Sequence, residues 1–445
     1  MLRNNYFVYF NRFTLLLVIV TMIDDTLAMI LLFLLCLSMT EVWCAPARRN
    51  NVCKTFEAYA NVNDDKNCYY NPDADSTPYQ IAKRYGFLIE DHLVTTKDGY
   101  ILTIFRLLDP QRKIQKSRQP VALQHGILVD GVSWMISGNN SLAFYLANSG
   151  LDVWIVNSRG TPFSLKHTNP SISEKDYWNY SFHEVGIYDL PAILEEISKH
   201  TNRTDIIHIG HSMGATASTV YSILRSDHAR KYLKGIIHLA PVIKFFQLRG
   251  VLALIIPFHD ILVKILELLG IHAIGQFTTL QRFILKLTCS RFPLIFPCKL
   301  LEAFSTGLVF EQARPEIMPL ILTNFPVGLP IKTIEHYCQI YSKSGRFQFY
   351  DYGPSNNLKI YNSSDPPEYN LGDFTIPIHI FSGKQDFLAP EEDVNNFYNE
   401  LNCPKMLHYL DAAHNDFAYG KNVEETYKSI VNSVKTMSTT DYGMK

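Results

Sequence analysis

The chain has 445 residues, 47% of them hydrophobic, which is enough for one large domain with an insertion or for two to three domains. Its formal net charge is −1, and no block of like charge occurs along it. This charge balance disfavours electrostatic binding of nucleic acid or of an anionic membrane.

The first 45 residues contain two apolar runs, 13–23 and 28–39, separated by Asp24 and Asp25. Each run alone is too short to span a bilayer, and the acidic pair would be costly at its centre, so we expect no stable transmembrane anchor. The second run is typical of a secretory signal peptide, and we assign residues 1–45 to a signal peptide with a long n-region. A later start methionine and an uncleaved signal anchor are the alternatives.

Two further features agree with the secretory route. Eight cysteines occur, and all except Cys36 and Cys44 follow the signal region, which is compatible with an oxidising compartment. We expect a secreted protein, with the lysosome as the alternative location. The Asn-X-Ser/Thr glycosylation candidates are Asn139, Asn179, Asn202 and Asn362.

Residues 46–79 are polar and rich in turn-forming residues, and they precede the first strong strand pattern. We expect a poorly ordered leader or propeptide here. A bridge between Cys53 and Cys68, and the pairing of Cys338 and Cys403, stay open, although we favour free thiols for the latter two.

Between residues 80 and 241, apolar strands alternate with helical patterns, which is typical of a parallel sheet covered on both faces. The first two strands flank Asp98-Gly99, a hairpin turn signal. A helix opens at Asp189 and Pro191. The predicted strands of this part cover 87–96, 100–107, 120–128, 151–157, 206–209 and 235–241.

The stretch Gly210-His211-Ser212-Met213-Gly214 follows an apolar strand and precedes a helical pattern. Strand, G-x-S-x-G and helix together predict a nucleophile elbow, in which a tight turn exposes the serine hydroxyl above the sheet edge. A serine in an ordinary glycine-rich turn is the simpler interpretation. The strand and helix context favours Ser212 as a nucleophile.

The alternation stops at residue 242, and mostly helical patterns follow up to residue 352. Sheet patterns then resume with strands at 376–381 and 406–410 and a closing amphipathic helix. We predict one α/β core in two parts, 80–241 and 353–445, with a cap or lid, 242–352, inserted between them.

Each late strand is followed by a residue of the kind that a nucleophilic serine requires. Asp386 follows the strand at 376–381, and His414 follows the strand at 406–410. We predict that His414 accepts the proton of the Ser212 hydroxyl and that Asp386 orients the imidazole. Asp373 and Asp393 are the alternatives for the acid, and His408, which lies within a strand, is the alternative for the base.

An oxyanion hole requires two backbone N–H donors, one after the nucleophile and one after an early strand. We assign them to Met213 and to Ile127, which follows His125-Gly126. His125 is expected to shape this loop. The cysteine spacings and the scattered histidines do not indicate a metal site, and nothing indicates a cofactor.

The combination of motifs resembles the acid lipase family, which includes gastric and lysosomal acid lipases. The resemblance runs from about residue 80 to the C-terminus. It rests on Leu123-Gln124-His125-Gly126, Asn157-Ser158-Arg159-Gly160, residues 178–184 and 188–192, the elbow, His336-Tyr337, residues 345–353 and His414-Asn415-Asp416-Phe417. Met213 replaces the usual glutamine after the nucleophile, and Thr161-Pro162-Phe163 departs from the usual sequence after Arg-Gly.

The resemblance implies an α/β-hydrolase fold, a mostly parallel sheet with helices on both faces and an inserted helical cap. It also implies a disulfide between Cys289 and Cys298, and hydrolysis of long-chain fatty acid esters, of the triacylglycerol or cholesteryl ester class. The expected partners are a lipid ester and a lipid–water interface, and we expect a monomer. An esterase for sterol, retinyl or small hydrophobic esters and a non-catalytic lipid-binding relative are the alternatives.

The predicted cap begins with an unusually apolar segment, residues 245–277. So many apolar side chains outside a sheet need either a buried partner or an apolar ligand. Simple packing within the cap is one interpretation. The other is a lid that covers Ser212 in water and opens at a lipid surface.

Overall fold

A computed structural model describes residues 50–111, 118–307 and 313–443. The expected signal peptide, 1–45, lies outside the described residues. The strands are, in chain order, β1 (Val52–Cys53), β2 (Cys68–Tyr69), β3 (Leu88–Thr95), β4 (Tyr100–Leu108), β5 (Pro120–Gln124), β6 (Asp152–Val156), β7 (Lys166–His167), β8 (Ile206–His211), β9 (Leu233–Leu239), β10 (Ala273–Ile274), β11 (Leu329–Pro330), β12 (Ile378–Gly383) and β13 (Lys405–Leu410).

Helices of seven or more residues alternate with these strands. They are α1 (Pro78–Arg84), α2 (Leu142–Asn148), α3 (Leu190–Thr201), α4 (Met213–Leu224), α5 (Ser226–Tyr232), α6 (His259–Leu268), α7 (Thr279–Cys289), α8 (Ile295–Thr306), α9 (Met318–Asn324), α10 (Ile331–Ser342), α11 (Pro354–Tyr361), α12 (Glu391–Glu400) and α13 (Glu424–Thr439). None of the helices in the described ranges combines the length and the hydrophobicity that a bilayer crossing requires.

A nine-stranded sheet organises the molecule, in the order β13-β12-β9-β8-β5-β6-β4-β3, with β7 paired to β4. The pairs from β13 to β6 are parallel, whereas β4 pairs antiparallel with both β6 and β3. The predicted mostly parallel sheet is confirmed. Because parallel strands end at the same edge, β8, β12 and β13 bring the residues that follow them to one side of the molecule.

Helices cover both faces of the sheet and create two hydrophobic cores. On one face, α3, α4 and α12 pack against alternate strand residues such as Ala122 and Trp154. On the other face, α1, α2 and α13 pack against the intervening residues, such as Val121 and Val153. Strand residues buried on both faces explain the continuous apolar runs seen in the sequence.

Between β9 and β12, the described residues within the predicted cap, 242–307 and 313–352, form α6 to α10 and a small antiparallel ribbon of β10 and β11; we call them the cap segment. In its first part, helix α6 has one buried side and one exposed side. Val263 and Leu266 of α6 are buried against Ile331, whereas the opposite side of the helix is exposed.

The expectation of a poorly ordered leader at 46–79 is wrong for the described residues 50–79. A disulfide joins Cys53 to Cys68, and both cysteines are buried. The segment packs on the cap through Ile295 and Met318, and Tyr59 Oη donates a hydrogen bond of 2.9 Å to the carbonyl of Pro315. Its many turn residues form short compact elements, because the disulfide and the cap contacts hold them.

Candidate active site

Ser212 occupies a strained turn between β8 and α4. Its φ is +53° and its ψ is −115°, a conformation that residues with a side chain rarely adopt. A Cβ added at Gly210 would lie 2.6 Å from the backbone of Gly214, and one added at Gly214 would lie 2.9 Å from the carbonyl oxygen of His125. Both glycines are therefore required for strand, turn and helix to approach this closely.

The three residues singled out in the sequence lie in one hydrogen-bonded chain. Ser212 Oγ lies 2.9 Å from His414 Nε2, and His414 Nδ1 donates to Asp386 Oδ2 at 2.8 Å. All three side chains are buried. This arrangement allows the hydroxyl proton to move to the imidazole while the carboxylate holds the imidazole in the tautomer that accepts it.

Asp386 is oriented by its own loop. Its Oδ1 accepts hydrogen bonds of 2.8 Å from the backbone N–H groups of Leu388 and Ala389, which leaves Oδ2 facing His414. The alternative acid Asp393 lies elsewhere, where its Oδ2 accepts from the backbone N–H groups of Phe246 and Gln247 at the start of the cap.

The alternative base, His408, makes a different contact. The ring of His408 stacks on Phe381 within the sheet, with ring centroids 4.4 Å apart. Asp373, the other alternative for the acid, lies in a short helical turn, Leu371–Asp373. The structure brings only Asp386 and His414, of the residues considered in the sequence, into a hydrogen-bonded chain with Ser212.

Two backbone segments adjoin the Ser212 hydroxyl. Met213 is the first residue of α4, where backbone N–H groups lack partners within the helix. The loop after β5 is the second segment. In this loop, Gly126 lies so close to Ser212 that a Cβ added to the glycine would be 2.9 Å from Ser212 Cβ. Ile127 follows in this loop and is half-buried against the core. The Met213 side chain is buried in the same core.

His125 holds the loop that carries Gly126 and Ile127. Its Nδ1 donates to the carbonyl of Gly126 at 2.8 Å, and its Nε2 accepts from the backbone N–H of Ser158 at 3.1 Å. Burial lowers the pKa of His125 to about 4, so the ring is neutral and can donate and accept at once. This agrees with the expected shaping role and adds a partner, Ser158, that no local sequence signal could identify.

His211 is a neighbour of the site that the sequence reasoning did not single out. Its Nε2 donates to the backbone carbonyl of His414 at 2.8 Å, and burial lowers its pKa to about 3. A neutral His211 thus anchors the loop that carries His414 without adding a positive charge beside it. The only sequence signal was its position inside the elbow motif.

The cap touches the same loops. The backbone carbonyl of Thr306, at the end of α8, accepts from the N–H of His414 at 3.2 Å and from that of Phe387 at 3.4 Å. Tyr337 Oη, on α10, donates to Thr216 Oγ1 at 2.9 Å. The cap segment is therefore bonded to the histidine loop, the acid loop and the helix that follows Ser212.

The remaining predicted features are cysteines and asparagines that make no hydrogen bond to Ser212, Asp386 or His414 in the described residues. Cys289 and Cys298 form a disulfide within the cap, whereas Cys338 and Cys403 are free and buried. The four asparagines that could be glycosylated are exposed: Asn139, Asn179, Asn202 and Asn362.

Comparison with known proteins identifies related sequences over most of the chain. Residues 78–138 match the family model described as the partial alpha/beta-hydrolase lipase region, and residues 119–257 match the one described as the alpha/beta hydrolase fold. These matches, with the parallel sheet and the elbow, confirm the expected α/β-hydrolase fold.

Three curated relatives illustrate the similarity. Lipase member K of Homo sapiens is 31% identical over 83% of this chain and 93% of its own length. The lysosomal acid lipase/cholesteryl ester hydrolase of Macaca fascicularis is 30% identical over 82% of this chain and 92% of its own length. The gastric triacylglycerol lipase of Mus musculus is 32% identical over 81% and 92%, respectively.

Proposed function

The chain belongs to the family of gastric and lysosomal acid lipases, and from this membership we propose that it hydrolyses long-chain fatty acid esters of the triacylglycerol or cholesteryl ester class. It is a carboxylic-ester hydrolase with the α/β-hydrolase fold. The observation that carries the proposal is the buried chain of hydrogen bonds from Ser212 through His414 to Asp386.

In the proposed reaction, Ser212 Oγ attacks the ester carbonyl carbon while His414 Nε2 accepts the hydroxyl proton. The carbonyl oxygen becomes an oxyanion that the N–H groups of Met213 and Ile127 stabilise. Collapse of the tetrahedral intermediate breaks the bond to the alcohol, which leaves with the proton from His414. Asp386 stabilises the imidazolium throughout.

Deacylation repeats these steps with water as the nucleophile. His414 removes a proton from water, the hydroxide attacks the acyl-enzyme carbonyl, and the fatty acid leaves as the proton returns to Ser212 Oγ. The buried neutral rings of His125 and His211 support this cycle, because neither adds a charge that would compete with the imidazolium for Asp386.

We propose that the first part of the cap, residues 252–269, contacts the lipid–water interface. Several of its large apolar side chains are exposed, with Leu254 at 73% and Leu268 at 87% of their accessible surface. So many exposed apolar side chains within eighteen residues are uncommon on a soluble monomer and are typical of contact with lipid. The exposed side chains of this part of the cap also include Ile255, Phe258, Ile261, Leu262, Ile265 and Leu269.

A secretory or lysosomal location fits the same proposal. Both disulfides require an oxidising compartment during folding, and the four exposed asparagines are accessible to the glycosylation machinery. We propose a monomer, which leaves the apolar face of the cap free for lipid.

The test is hydrolysis of emulsified triolein, cholesteryl oleate and soluble p-nitrophenyl butyrate by the purified protein between pH 4 and 8. We expect turnover of at least one long-chain ester, and a loss of about 10³-fold or more in Ser212→Ala. Ser218→Ala is the matched control, since it removes another buried Ser–His contact, of 2.9 Å to His238, outside the site.

The outcomes separate the parts of the proposal. Turnover of the butyrate ester alone would contradict the long-chain substrate class and favour an esterase. The absence of turnover on all three substrates by folded protein would contradict catalysis itself and favour a lipid-binding relative. Equal losses in Ser212→Ala and Ser218→Ala would contradict the role of Ser212.

A further inference from the structure

A cluster of two histidines and a glutamate lies at the antiparallel edge of the large sheet. His92 belongs to the edge strand β3, and Glu196 and His200 belong to α3, one helical turn apart. About a hundred residues separate the strand from the helix in sequence, so no spacing motif reveals the cluster. The ligand-type atoms of the three side chains all lie within 4.8 Å of one another.

The distances within the cluster suit a metal ion. Glu196 Oε1 lies 2.8 Å from His200 Nε2 and 3.7 Å from His92 Nδ1. Ligands bound tetrahedrally to zinc at about 2.0–2.1 Å are separated by roughly 3.3 Å from each other. The two distances to Glu196 Oε1 therefore bracket the zinc-site value, and all three atoms, within 4.8 Å of one another, are close enough to bind one ion after side-chain adjustment.

His92 is a buried candidate ligand. Its side chain is only 5% exposed, and its other ring nitrogen, Nε2, lies 3.3 Å from Glu90 Oε2 but makes no hydrogen bond to it or to any other described residue. Metal-binding histidines typically place a carboxylate at the nitrogen that does not bind the metal. The ring also contacts buried Trp154, at 4.7 Å between centroids, which fixes its plane.

The charges around the cluster are compatible with a bound cation. Glu90 lies 3.8 Å from Arg106, whose guanidinium is already bound to Asp152 through two hydrogen bonds. Among the described residues, the lysine paired with Glu196 is the exposed Lys199, at 3.2 Å from its second oxygen. Oxygen Oε1 of Glu196 faces the two imidazoles.

We propose that His92 Nδ1, Glu196 Oε1 and His200 Nε2 bind a divalent transition metal ion of the zinc type, with water in the fourth position. Two imidazole nitrogens and one carboxylate oxygen are a ligand set that zinc accepts, whereas calcium and magnesium prefer oxygen ligands alone. The ion ties the edge strand β3 to helix α3, the helix that precedes the strand of the nucleophile elbow. Its role is structural, and it is separate from ester hydrolysis.

The test is a titration of untagged, EDTA-treated full-length protein with zinc chloride at pH 7.5, followed by isothermal calorimetry and by thermal denaturation. We expect one equivalent of zinc to bind and to raise the melting temperature. His200→Ala and Glu196→Gln should each weaken binding by at least about tenfold and remove the zinc-dependent thermal shift. His200 is more than one-third exposed, so its removal does not disturb the core.

The matched control is His228→Ala, which breaks another histidine–glutamate pair, 3.0 Å from Glu195, to which the described residues add no third metal ligand. It should bind zinc as the wild type does. Absence of zinc binding to the wild type would show that the three side chains form only an ion-pair cluster. Equal affinity in the wild type and in His200→Ala would place any bound zinc elsewhere. Either result overturns the proposal.

Discussion

The reactivity proposed for Ser212 depends on what individual neighbours do to an ordinary hydroxyl. Ser212 has a positive φ in a tight turn, and two glycines without a Cβ make that turn possible. His414 supplies a base at 2.9 Å, and Asp386 fixes its ring. His211 acts indirectly, because its hydrogen bond is to the backbone carbonyl of His414 and not to the imidazole ring.

His211 offers a test of positioning at the residue scale. His211→Phe removes the hydrogen bond to the His414 carbonyl, and we expect kcat on p-nitrophenyl butyrate to fall about fivefold, since one such bond contributes about 1 kcal/mol. His211→Gln keeps a side-chain N–H and should recover most of the rate. Equal rates for the two variants, with both folded, would contradict the positioning role.

At the residue scale, the sequence predicted the local structure correctly where a single motif specifies the backbone geometry. The predicted strand, turn and helix around Ser212 are present as β8, the elbow and α4. Asp386 and His414 could be placed near it, because parallel strands deliver their C-terminal ends to one edge. The contacts of His125 with Ser158 and of His211 with the His414 carbonyl depend on loop paths, which no local pattern specifies.

At the scale of elements, the cap and the N-terminal segment form one connected layer. Residues 50–79 were expected to be loosely attached, yet they carry a disulfide and pack on α8 and α9 through Ile295 and Met318. A polar, turn-rich composition is typical of disorder, but a single crosslink and a few long-range apolar contacts can order such a segment. Those contacts lie more than 200 residues away in sequence.

The exposed apolar face of the cap gives the element-scale prediction. Leu254→Asp combined with Leu268→Asp should lower activity on emulsified triolein by tenfold or more, because each lost apolar contact with lipid forfeits about 1.5–3 kcal/mol. Activity on soluble p-nitrophenyl butyrate should stay within about twofold, since neither side chain is buried. Both rates are measured on the same preparation.

Leu358→Asp is the matched control for this pair, because Leu358 is equally apolar and 54% exposed but lies on α11, outside the cap. It should leave both activities unchanged. Equal losses on the emulsion and on the soluble ester in the cap variant would indicate that residues 252–269 are ordinary structural packing.

At the scale of the whole molecule, burial of neutral histidines links stability to pH. Burial lowers the pKa of His208 and of His336 to about 3 from 6.5, and that of His238 well below 6.5. The unfolded chain binds protons at these groups below about pH 6.5, while the folded chain does not. Their contribution to stability is therefore complete above pH 6.5 and is lost as the pH falls from about 6.5 towards 3.

His208 allows this linkage to be measured on one group. Between pH 7 and 5, the wild type should lose about 2 kcal/mol more of its free energy of unfolding than His208→Gln, because the variant lacks one titrating imidazole. The measurement is urea-induced unfolding at both pH values. The raised pKa of Asp130, about 7 because of burial, acts in the opposite direction but equally in both proteins. An identical pH dependence in the two would refute the linkage.

The mostly parallel sheet with helices on both faces follows from local patterns combined with the rules of parallel sheets, which is why the fold class was predictable, whereas the order of the strands was not predicted. The cluster of His92, Glu196 and His200 was not, because an edge strand and a helix meet there only after folding. A site that is formed by residues distant in sequence cannot be recognised from a local sequence pattern.

Acylation of Ser212 is the central claim, and one labelling experiment tests it most directly. The protein is treated with a p-nitrophenyl phosphonate that carries a long alkyl chain and is then analysed by peptide mass spectrometry. We predict release of one equivalent of p-nitrophenol, complete loss of ester hydrolysis, and the phosphonyl mass on the peptide that contains Ser212. Loss of activity with the adduct on another residue, or full hydrolysis by protein labelled at Ser212, would contradict it.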